Sequence, residues 1–220
     1  AGASTLRLVA PDLAAARAAL PGFPGPTDLE LEFDDYAGLD AALDADGALD
    51  GRRLTRVVVR RSEDARALLA HAADFEVQVA LHTETAAWLR TLTDAPARLS
   101  LVLPTYERLT ESQANDVDLR GFFRDFQHPV PVEGVPACVI GRAPRAERRT
   151  LDTAMMDASG RLEIFRYAQR YILAHYRTKS LRCSPCVHAA TCTGMHVNYV
   201  RAHGYGLMQP VTAASAAAEE

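Results

Sequence analysis

Short apolar and β-branched runs alternate with Ala- and Leu-rich stretches through the first two-thirds of the chain. The runs Leu6–Ala10, Leu29–Phe33, Thr55–Arg60, Glu76–Leu81, Arg98–Leu103 and Ala137–Ile140 read as strands. The first five begin 21 to 26 residues apart, the length of a βα unit with short loops. Several, such as the run from Arg56 to Val59, are almost continuously apolar, as in strands covered on both faces.

Helices are predicted between the strands. Pro11-Asp12 opens the first, with Leu13, Ala16 and Leu20 on one face. The second lies within Asp34–Leu49, from Tyr36 on. Ser62 N-caps the third, with Glu63 and Asp64 in its first turn. The fourth runs from Thr83 to about Leu92, and the fifth lies within Glu111–Phe126. Alternating strands and helices imply a mostly parallel sheet, and six units of equal length suggest a partial (β/α)6 barrel.

The pattern changes after Gly141. Residues 142–150 are polar and Arg-rich, a linker by composition. Met155–Phe165 reads as a hairpin, with a turn near Ala158-Ser159-Gly160, and Tyr167–Arg177 as a helix. The expected layout is therefore a partial barrel over 1–141, a hairpin-plus-helix extension over 142–211, and a low-complexity, disordered tail over 212–220.

Composition narrows the functional classes. The formal charge of −4 offers no broad basic face for nucleic acid. No run of about 18 apolar residues is present to span a membrane. Residues 1–20 lack a secretory signal, and four cysteines in 220 residues are too sparse for a disulfide scaffold. A reducing cytoplasm is expected. Lys179 is the sole lysine among Arg-rich cations, a bias read as codon usage.

The chemistry lies in the cysteines. Cys183, Cys186 and Cys192 form a Cys-x2-Cys-x5-Cys cluster, and Cys138 stands alone in Val-Pro-Ala-Cys-Val. Pro185 and Gly194 help the chain fold around a centre. Zn2+ wants four tetrahedral ligands, and Cys183, Cys186 and Cys192 can be completed by Cys138, His188 or His196. A [4Fe-4S] cluster takes four thiolates, which uses every cysteine in the chain. His82, Glu84, Tyr106 and Glu107 follow the fourth and fifth strands, where a βα barrel opens its ligand-binding mouth. Helix capping and a solvated rim explain these four as well. Asn198, Tyr199, Arg201 and His203 can form a polar shell around a metal centre. Gly-rich phosphate loops, Gly-x-Ser-x-Gly elbows and His-Glu-x-x-His motifs are absent from the sequence.

Six βα units followed by a cysteine-bearing hairpin and helix resemble the radical SAM enzymes with a C-terminal SPASM or twitch-type auxiliary cluster. Pro136-Ala-Cys138 is similar to the family's Pro-x-Cys at the end of the last barrel strand, and Cys192-Thr-Gly194 to its Cys-x-Gly. The resemblance implies Cys138, Cys183, Cys186 and Cys192 as ligands of one [4Fe-4S] auxiliary cluster. The full SPASM pattern has a further Cys where this chain has His196. The family's catalytic Cys-x3-Cys-x2-Cys belongs in the loop after the first strand, here Pro11–Leu20, which holds no Cys. Reductive cleavage of S-adenosylmethionine is therefore not implied.

The leading expectation is a non-catalytic accessory subunit that carries one metal centre and serves a partner enzyme or a peptide substrate. The absent motif means either a cluster-less relative or a missing N-terminal part, and the natural first strand at Leu6–Ala10 favours the former. The alternatives are a zinc-stabilised protein-binding module, or an enzyme that uses the barrel mouth for non-radical chemistry.

Overall fold

Five of the six apolar runs become strands in the computed structural model, which describes residues 4–146, 153–157 and 159–213. The fold is α/β, with a mostly parallel seven-stranded sheet. The chain divides into two compact units, one of residues 1–102 and 128–131, the other of residues 103–127 and 132–220.

The first unit contains β1 (Thr5–Ala10), α1 (Leu13–Ala19), β2 (Asp28–Phe33), α2 (Leu39–Ala42), β3 (Ala48–Leu49), β4 (Arg52–Val59), α3 (Ser62–Ala70), β5 (Glu76–Ala80), α4 (Thr83–Leu89) and β6 (Leu99–Val102). β1, β2, β4, β5 and β6 are parallel neighbours in chain order. Asp12 starts α1 by accepting from the Ala15 N–H at 2.8 Å.

The register divides the side chains between two faces. Leu8, Leu31, Val57, Val79 and Leu101 are buried on one. The helices add Ala16, Ala65, Leu68, Ala86 and Leu89 to the core. The other face is polar and also buried, with Glu30, Glu32, Arg56, Gln78 and Ser100 all at or below 9% exposure. Glu32 accepts from Arg7 at 2.8 Å and from Arg60 at 2.7 Å. Arg56 pairs with Glu76 at 3.5 Å and donates to Gln78 at 3.4 Å. Buried charges survive only with such partners.

The second helix expected from the sequence shrinks to one turn, α2. Asp44 accepts from the N–H groups of Asp46 and Ala48, and Asp50-Gly51 turns the chain from β3 into the antiparallel β4. Both turn residues have positive φ, 49° and 76°, the geometry that Asp-Gly favours in a two-residue hairpin. Turn chemistry outweighs the local Ala and Leu content.

The second unit contains α5 (Leu109–Asn115), α6 (Leu119–Asp125), β7 (Val132–Glu133), α7 (Ala137–Ile140), α8 (Ile164–Ala174), β8 (Arg177–Thr178), β9 (Met195–His196) and α9 (Val197–His203). The expected fifth helix is two, because Asp118 caps a second start by accepting from the Gly121 N–H at 3.2 Å.

The sixth expected strand, Ala137–Ile140, is instead the single helical turn α7. Four apolar residues fit a buried strand or a buried helical turn equally well. Their flanks decide, with Pro136 at the N-cap and Gly141 at φ 71° at the C-cap. Of the hairpin expected over Met155–Phe165, the described residues show one antiparallel bridge, Met156 to Leu162, and a turn in which the Gly160 N–H bonds the Asp157 carbonyl at 3.0 Å; Ala158 lies outside the described residues. Glu163 accepts from the N–H groups of Phe165 and Arg166, so α8 starts earlier than its Tyr167 expectation. Of the linker, residues 147–150 lie outside the described residues, as do residues 214–220 of the tail.

Candidate metal centre

The cysteine segment is built of tight turns rather than long elements. Ser180 accepts from the Arg182 N–H and opens a short 3-10 turn over Leu181–Cys183. The Cys186 N–H then bonds the Cys183 carbonyl at 3.1 Å, and the Cys192 N–H the His188 carbonyl at 2.9 Å. β8 and β9 pair antiparallel and hold the two ends of the segment together. Gly194 makes the return possible at φ 85°, where an added Cβ would stand 2.2 Å from the Thr178 carbonyl oxygen.

These turns bring the segment to α7. Cys138, Cys183, Cys186 and Cys192 line one cavity, together with His188, Lys179, Gly194 and Met208. Its empty space, open mouth included, is about 350 Å³. All four thiols are free and partly exposed. Burial pushes the Cys138 thiol up, the N–H of Gln209 donating to it opposes that, and the other three thiols push it up further. The Gly194 N–H donates to the Cys192 sulfur at 3.3 Å. Amide donors to sulfur are among the features that set an iron–sulfur centre's potential.

Among the described residues, no group of three or more His, Cys, Asp or Glu side chains forms a point site for a metal ion. The four thiols border one common space. A single Zn2+ with bonds of about 2.3 Å needs sulfurs about 3.8 Å apart. A four-iron cluster is wider and takes its thiolates from around a larger body. Four thiols are a donor set that suits either centre, a Zn2+ ion or a four-iron cluster.

The histidines separate. His188 is at the cavity. His196 is buried elsewhere, its Nε2 3.1 Å from the Ile172 carbonyl and its Nδ1 accepting from the Asn198 N–H at 3.3 Å. Burial lowers its pKa, which suits a neutral ring with Nε2 as donor. The polar residues after it serve packing. Asn198 donates to the carbonyls of Tyr106 and Glu107 at 2.8 and 3.0 Å. Tyr199 donates to the Val117 carbonyl at 2.9 Å, and His203 meets Asp116 at 2.9 Å.

In the first unit, His82 precedes α4, its Nε2 bonded to the Arg60 carbonyl, and Glu84 accepts from the Ser62 N–H and hydroxyl. Ser62 is thus the first residue of α3, not its cap; Arg61 holds that position.

A second cavity, about 780 Å³ with its open mouth included, adjoins the first and shares Pro136, Ala137, His188, Cys192 and Gly194 with it. Arg145, Thr191 and Thr193 supply its polar side chains. Sequence reading missed Lys179 and Gln209 as neighbours of the thiols. The lone lysine was a usable signal, whereas Gln209 acts through its backbone and leaves none. No protein-family model, curated protein or solved structure matches the chain.

Proposed function

We propose that the chain is a radical-SAM-like accessory subunit that carries one [4Fe-4S] cluster on Cys138, Cys183, Cys186 and Cys192 and supports a partner enzyme or a peptide substrate. The observation that carries it is the gathering of all four cysteines, from segments 45 or more residues apart in sequence, around one cavity. Two backbone N–H groups aimed at sulfurs support the same assignment.

The sheet supports the fold side of the proposal, a partial (β/α)6 barrel. Five parallel strands follow chain order with no reversal. A doubly wound sheet reverses order at its switch point, whereas a barrel does not. The polar face from Arg7 to Ser100 also suits a barrel interior. The adjoining cavity touches the cysteines through Cys192. A substrate side chain seated there would lie beside the cluster.

The non-catalytic part rests on sequence: Pro11–Leu20, the loop after the first strand where the resembled family carries its catalytic cysteines, holds no Cys. Anaerobic incubation with S-adenosylmethionine and a strong reductant should yield no 5′-deoxyadenosine. Formation of 5′-deoxyadenosine by the purified protein would defeat the accessory assignment. The competing zinc module predicts a colourless protein with one zinc per chain.

A further inference from the structure

The chain has 24 basic residues, and one of them is a lysine, Lys179. It stands at the four-cysteine cavity. Among the described residues that line that cavity, Lys179 is the only Lys or Arg, and none is Asp or Glu. Its stem passes Gly194, with Cγ 3.0 Å from where a Gly194 Cβ would stand. Its Nζ then donates to the Ala189 carbonyl at 2.7 Å. Ala189 lies between Cys186 and Cys192 and lines the same cavity, and its own N–H bonds the Cys186 carbonyl at 2.9 Å. β8 and β9 hold the two ends of the cysteine segment, and Lys179 holds its middle.

Lysine suits this position better than the arginine used everywhere else. A guanidinium is a broad planar fork, whereas an ammonium is a compact charge that can end on a single carbonyl. The charge also has work to do. Thiolate ligands are anionic, and one-electron reduction of a centre they hold adds a further negative charge. A cation at the edge of that charge favours the reduced state, more strongly beside apolar surface than in open water. Pro136, Ala137, Met208 and Pro210 supply such surface in the lining. Net charge and hydrogen bonding to sulfur are both levers on a cluster's potential. Lys179 supplies the first of these, beside the amide donors that supply the second.

We infer that Lys179 is a positioning residue of the metal centre: it clamps the cysteine loop through Ala189 and sets its charge beside the thiolates, which raises the potential of the cluster they hold. The inference rests on the [4Fe-4S] reading and names a residue that tunes that same site. Because Lys179 is the sole lysine, an N-hydroxysuccinimide ester of acetate can neutralise it on the cluster-loaded full chain, with the α-amine as the other amine. In an anaerobic dithionite titration, acetylation should lower the midpoint potential by about 59 mV, a tenfold shift in a one-electron equilibrium. Lys179→Arg treated with the same ester reads the α-amine alone, and its reduction equilibrium should move by less than about twofold. Lys179→Met should reproduce the acetylated value untreated, and its difference from the parent should shrink as salt rises, since Lys179 is exposed. An unmoved potential after acetylation, or iron loss with an unmoved potential in the clusters that remain, would overturn the inference. Iron and sulfide in the untreated parent separate the two claims. About four of each with an unmoved potential removes only the role of Lys179. A parent without iron removes the cluster reading itself.

Discussion

Gly194 is where one residue type decides whether the cysteines can gather. Its φ of 85° and the 2.2 Å approach of a built Cβ to the Thr178 oxygen leave no room for a side chain. Gly194→Ala should lower stability by about 2 kcal/mol or more, read as a shift of the denaturation midpoint, and should reduce metal content. Glu32 decides acid sensitivity in the first unit. Burial raises its pKa, but hydrogen bonds and charge from Arg60 and Arg7 outweigh that and hold it below 4.5. A depressed carboxylate contributes stability that is present above pH 4.5 and lost as pH falls through its folded value. Glu32→Gln should therefore narrow the difference between urea midpoints at pH 7 and pH 3.5. At this scale the sequence was informative where chemistry is scarce: four cysteines with two short spacings could be read directly. Gln209 and the Asn198 clamp could not, because they work through backbone groups brought close by the fold.

Elements were legible in proportion to their periodicity. Strands β1, β2, β4, β5 and β6 all lie within two or three residues of their apolar runs. Their polar face was not read, because near-continuous apolar runs elsewhere in the sheet outweighed the alternation Leu29-Glu30-Leu31-Glu32-Phe33. Short elements failed. In α7 the flanking Pro136 and Gly141 outweighed four strand-compatible residues, and in the region of α2 the Asp-Gly turns outweighed helix-forming Ala and Leu. The correction at α7 matters to the site, since Cys138 is the second residue of a helical turn rather than the middle of a strand. β2 lies in the interior of the parallel sheet, and Leu31 in it is fully buried. Leu31→Ala should cost about 2 to 5 kcal/mol, measurable by chemical denaturation, and a loss under 1 kcal/mol would contradict its place in the core.

At the scale of the whole molecule, an α/β unit and a cysteine-bearing unit are joined in one chain, and no helix among the described residues is long and apolar enough to cross a membrane. The cluster assignment depends on chain segments 138 and 183–192 meeting at one cavity, and the spacing of residues in a single sequence does not show that meeting. Metal and acid-labile sulfide analysis, with a visible spectrum, on anaerobically purified full chain and on its Cys138→Ser variant tests this most directly. The expected result is a brown protein with about four iron and four sulfide per chain, and a variant that loses most of both. A colourless protein with one zinc, or a variant whose iron, sulfide and spectrum match the parent, would contradict the four-cysteine cluster.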